Sequence, residues 1–107
     1  MFDASFYQTV LTDRVQAECA GKPDMVPVVE LHLATGTILD LCHIIRLADD
    51  WVACRFFRNP EDCEDMDVAF LPYGLVNLVT VSLHHVESRR VGFQLGAADR
   101  GGSTGAR

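Results

Sequence analysis

No run of roughly 18 consecutive apolar residues occurs in this chain, so it offers no helix that could cross a bilayer. The opening stretch, MFDASFYQTVLTDRV, lacks the basic-then-apolar order of a secretion signal and carries Asp3 near its start. Both absences predict a soluble, cytoplasmic protein with no membrane partner. Basic residues are also scarce. Nine Lys and Arg stand against 15 Asp and Glu, a net charge of −6, which on average repels phosphate backbones and removes the usual electrostatic source of nonspecific nucleic-acid binding.

The spacings that carry chemistry are missing too. Cys42-His43, Cys54, Cys63 and His84-His85 form no C-x-x-C or H-x-x-x-H pair, and neighbours on a strand face opposite sides, so neither adjacent pair can chelate together. There is no nucleophile elbow, phosphate loop or carboxylate pair at a meaningful distance. These absences predict no catalytic residue, no metal and no cofactor. Glu61, Asp62, Glu64, Asp65 and Asp67 crowd one stretch without the glycine and spacing of a calcium loop. They read first as a solvated loop, with a hard cation or a partner's basic patch as the functional alternatives.

What is present suits one globular domain. The 107 residues are 49% hydrophobic and 22% charged, enough apolar material for a single core. Residues 3–20 alternate as an amphipathic helix: Phe6 and Val10, then Tyr7 and Leu11, recur at i and i+4, with Asp3 or Ser5 able to cap the start. Ala20-Gly21 and Pro23 stop it. The period then switches to two. Strands are predicted over about 27–34, from Ile38 through Ile45, over Trp51–Phe57, over Asp67–Leu71 and over Leu75–Leu83, with Gly36 in the first turn and RNPEDCED as a polar loop. The second strand is apolar on both faces, so it must be covered twice or bent around a barrel wall. Cys42 and Cys54 sit in apolar runs, which favours buried thiols over disulfides. The domain spans residues 1–98, with barrel 27–83 and a C-terminal extension 84–98; residues 99–107 are too polar and glycine-rich to bury and are predicted to be disordered.

Val29, Leu31, Leu33, Gly36 and Leu39, then Asp49 ahead of Trp51-Val52-Ala53-Cys54, then Pro72-Tyr73-Gly74-Leu75-Val76, resemble the layout of the Sm-like family over about residues 4–83. The resemblance implies a mainly β fold: an N-terminal helix and a strongly bent five-stranded antiparallel SH3-like barrel. It also implies rings, in which the fourth strand of one subunit pairs with the fifth of the next. An edge as apolar as Leu75–Val81 invites such strand addition. The alternative is that the segment around Val91–Leu95 covers that edge and leaves a monomer. The chain departs from the family pattern at three points. Leu41-Cys42 replaces the bend glycine, Pro72-Tyr73-Gly74 carries no charge where the Hfq-type members have a basic, histidine-bearing turn, and the Arg-Gly pair of other members is missing. Without those donors a pore-facing uridine pocket loses its phosphate contacts.

The expectation is therefore a non-enzymatic Sm-like barrel that self-assembles by strand pairing into a homo-oligomer. It would serve as a scaffold for a protein or small-molecule partner. The candidate oligomer edge is Val68, Phe70, Leu75, Asn77, Val79 and Val81; the candidate partner or ligand contacts are Trp51, Tyr73, Arg89 and Arg90. The alternative is an Hfq-type RNA-binding ring that uses arginines outside the usual pocket.

Overall fold

The structure is a computed structural model that describes residues 1–59, 62–96 and 99–100, with side chains described for 1–59 and 65–96. It is mainly β: an N-terminal helix followed by five antiparallel strands in one sheet. The helix begins as a π-helical turn, Phe6–Val10, and continues as α1, Leu11–Cys19. Asp3 caps it, its Oδ1 accepting from the Phe6 N–H at 3.0 Å. Gly21, at φ 72°, ends it in a conformation that a residue with a Cβ resists.

The strands are β1 Met25–Leu33, β2 Ile38–Leu47, β3 Trp51–Asn59, β4 Asp62–Pro72 and β5 Val76–His85. They lie in the order β4-β3-β2-β1-β5. β2, β3 and β4 form an antiparallel meander, while β5 returns to the far side of β1, Met25 pairing with His85. Gly36, at φ 94°, supplies the β1–β2 turn, as the sequence predicts. β4 begins earlier than expected, so Asp62–Asp65 belong to a strand and not to a polar loop. The sheet is not closed. Among the described residues β4 pairs only with β3 and β5 only with β1, so the five predicted antiparallel strands are present but the barrel wall is left open between β4 and β5.

The bend has a cause other than glycine. β2 shifts register against β3 twice, between Leu41 and His43 and again between Ile44 and Arg46. Each irregularity bends the strand and increases its local twist, so extra residues do what the missing glycine would have done. Beyond Leu41, β2 leaves β1 and follows β3; its pairing with β1 covers only Ile38–Leu41. The main core lies on the concave side: Val29, Leu31, Leu41, Val52 and Cys54 of the sheet, closed by Tyr7, Leu11 and Val15 of the helix.

The gap between the diverging β1 and β2 is filled by the C-terminal extension, residues 89–96. The Phe93 N–H donates to the Pro27 carbonyl at 2.8 Å and the Gln94 N–H to the Cys42 carbonyl at 2.7 Å, one bond to each strand. Phe93 enters the core. A Cβ on Gly92 would run into the Pro27 carbonyl oxygen, so only glycine allows the strap to lie this close. Arg89 forms two bonds to Asp40, at 2.6 and 2.7 Å, and its guanidinium stands 5.4 Å from the centre of the Phe57 ring. Outward-facing Val28, Cys42 and Phe57 are buried although they lie outside the main core. Around Cys42 β2 is thus covered on both faces, while Ile38 at its start remains exposed. Asp99–Arg100 extends the path as a short parallel strand, β6, beside Arg46–Leu47. The predicted disorder therefore does not include residues 99 and 100; residues 101–107 lie outside the described set.

Candidate functional site

The outward side of the sheet is defined by its pairing. Phe57, Asp40, Glu30 and Thr80 form one row across β3-β2-β1-β5, and Ile38, His32 and Leu78 form the next. On β4 the same side carries Val68 opposite Arg55 and Phe70 opposite Ala53. The large apolar side chains exposed on strands are Ile38, Val68, Phe70 and Leu78. Three of them lie on the two unpaired edges, and Ile38 lies on β2, two strands in from β5. Phe70, at 69%, is the most exposed of the four, and it meets Trp51 edge-to-face at 5.7 Å.

The sequence-predicted edge residues divide accordingly. Val68 and Phe70 project outward from the free edge of β4, and Asn77 is exposed on β5. Val79 and Val81 turn inward and pack against the core, as does Leu75 from the 3₁₀ turn Tyr73–Leu75. Leu78 was not among the candidates. The register shift between β1 and β5 at His32–Leu33 reverses the alternation expected from the residues beyond it, and that shift leaves no mark in sequence. The strap does not cover the β5 edge; its bonds go to β1 and β2.

The four candidate contact residues are not together. Trp51 is half-buried beside Phe70. Tyr73 is 2% exposed, stacks on Tyr7 at 5.9 Å and donates its hydroxyl proton to the Ala48 carbonyl at 2.6 Å, which makes it a core residue with no face toward a partner. Arg89 is committed to Asp40, with 10% of its side chain exposed. Arg90 is exposed on the strap.

The two buried thiols, Cys42 and Cys54, are chemically quiet. Cys19, Cys42 and Cys54 are free, and the Cys63 side chain lies outside the described residues. Burial pushes Cys54 up to about 12 and raises Cys42 as well, so neither supplies a thiolate near neutral pH. His43 sits 3.5 Å from the Cys42 sulfur, but burial and the Arg55 guanidinium lower its pKa, so it is a poor cation to stabilise a thiolate. Among the described residues no group of three His, Cys, Asp or Glu side chains could hold a metal ion. The side chains of Glu61, Asp62 and Glu64 fall outside the described residues; Asp67 forms a bidentate pair with Arg58, at 2.6 and 3.1 Å.

One cavity of about 260 Å³ opens between the first turns of the helix, the bent half of β2 and the strap. Tyr7, Ile44, Leu47 and Phe93 form its apolar wall. Among the described residues no charged side chain lines it.

The fold and these surfaces define a small helix-capped, open antiparallel sheet. Beyond that class the comparisons add nothing: no family model, no curated protein and no solved structure matches the chain. No helix among the described residues is long and apolar enough to cross a membrane.

Proposed function

We propose that this chain is a non-enzymatic, Sm-like subunit that assembles with copies of itself by adding β4 of one to β5 of the next. The assembly then acts as a cytoplasmic scaffold for a protein or small-molecule partner. The observation that carries this reading is the concentration of exposed outward-facing apolar side chains at the two unpaired edges, Val68 and Phe70 on β4 and Leu78 on β5. Unpaired backbone groups beside exposed apolar side chains are a template for strand addition. Natural edges are usually blunted by charge, proline or a covering segment; β5 carries no charge or proline over residues 76–83, and on β4 residues 68–71, after Asp65 and Asp67, are likewise uncharged. The strand order supports the reading further, since it leaves at the edges the same two strands that the Sm-like resemblance assigns to subunit contacts. An antiparallel register that keeps the outward faces continuous can set Phe70 of one copy opposite Leu78 of the next. Because β4 and β5 are different surfaces, the contact is heterologous and closes into a ring when the rotation per subunit allows.

Light scattering at micromolar concentration tests the proposal. A mass of several subunits that falls toward one on Phe70→Glu supports it, and a strictly monomeric parent chain overturns it. The RNA-binding alternative has no comparable support, because Arg89 is held by Asp40.

A further inference from the structure

We propose that the cavity beneath the helix is a binding site for an uncharged, bicyclic heteroaromatic molecule. The inference rests on the small-ligand part of the reading above and stands whether or not copies assemble, since every wall comes from one chain.

Size sets the first bound. A protein cavity of about 150 Å³ accommodates benzene, so 260 Å³ is room for roughly ten heavy atoms, two fused rings. Charge sets the second. Among the described residues the walls hold no ionisable group other than the Tyr7 phenol, which burial holds well above its ordinary value, so they offer no partner for a carboxylate, phosphate or ammonium. Bringing an unpaired charge into it would cost far more than ring burial returns.

The walls set the rest. Two aromatic residues contribute to the walls, Tyr7 from the helix and Phe93 from the strap, together with Ile44 and Leu47 of β2. Flat π-systems gain from offset or edge contacts with such rings beyond the area they bury. Gln8 of the helix and Gln94 of the strap stand at the cavity's rim, both exposed to solvent. An amide both donates and accepts, so a ring with an N–H and a bare ring nitrogen on one edge can take the place of water on such groups, which a hydrocarbon cannot. The π-helical turn helps to build the site. It supplies two successive lining residues, Tyr7 and Gln8.

The test titrates the full-length chain with 7-azaindole, which has nine heavy atoms, an N–H and a ring nitrogen, and with indole-2-carboxylate as the charged control. Amide NMR spectra report the site, and light scattering on the same samples reports assembly independently. Saturable shifts at Thr12, Gln94 and Gly96 with 7-azaindole, and none with the carboxylate, are expected. Leu95→Trp, which fills the cavity from its partly exposed wall, should weaken binding at least tenfold while the remaining spectrum stays folded. Gln94→Leu should weaken 7-azaindole about tenfold, the value of roughly one hydrogen bond. The proposal is overturned if 7-azaindole leaves these amides unshifted at millimolar concentration, if the carboxylate binds equally well, or if Leu95→Trp binds like the parent.

Discussion

Between β1 and β2 the backbone groups freed by the bend are taken up by the chain's own C-terminal strap. Along β4 and β5 no described segment does the same. The two openings differ in what surrounds them. At the inner one a glycine permits close approach, a phenylalanine enters the core and an arginine is fixed by two bonds to a carboxylate. At the outer edges the same protein leaves Phe70 and Leu78 in solvent. A chain with a segment available for covering an edge has used it in the interior of the sheet, and that choice leaves the outer edges open to a second copy.

The largest effect should come from removing the inner seal. Phe93→Ala deletes a buried ring and is expected to cost about 4 kcal/mol in urea unfolding. Arg89→Met strands the Asp40 carboxylate, 16% exposed, and should cost about 3 kcal/mol by the same measurement. Gly92→Ala must push the strap off Pro27 and is expected to cost about 2 kcal/mol. If all three proved neutral, the strap would not be a structural element and the contrast between the openings would disappear.

At the outer edges the pattern should invert. Phe70→Glu and Leu78→Lys are expected to change the stability of dilute subunits by no more than about 0.5 kcal/mol, while lowering the assembly mass at micromolar concentration. The smallest effect belongs to the exposed Arg58–Asp67 pair. The Arg58 hydrogen bonds hold the Asp67 carboxyl below its ordinary range. Its folded pKa therefore lies below its unfolded one, so any stabilisation is present above the unfolded value and fades as pH falls through the folded value. A carboxyl-carbon NMR titration should show the Asp67 midpoint rising in Arg58→Ala, with little change in unfolding midpoint at neutral pH.

Much of this architecture was legible in the residues. The helix with its Asp3 cap, the Gly36 turn, the period-two strands and the buried thiols all follow from local pattern and elementary sterics. Non-local geometry was not. Nothing in Leu41-Cys42-His43 announces an irregularity that replaces a glycine bend, and nothing in Arg89 announces Asp40 as its partner across the fold. Tyr73 was misplaced for a related reason. A tyrosine between proline and glycine reads as a surface turn until the helix stacks Tyr7 upon it. The cavity escaped notice because its walls come from three separated segments, and the strap among them had no clear period.

The pairing of β1 with β5 also bears on the order in which the chain folds. β2, β3 and β4 can zip as successive hairpins soon after each is synthesised, but Met25 waits for His85, and the strap arrives later still. Closing that long loop must precede the contacts that reward it, so docking of β5 should set the refolding rate. Until then both edges of β1 beyond its short pairing with β2 stand open. In that interval a neighbouring copy's β5 competes with the chain's own, and dilution during refolding should favour the correct partner.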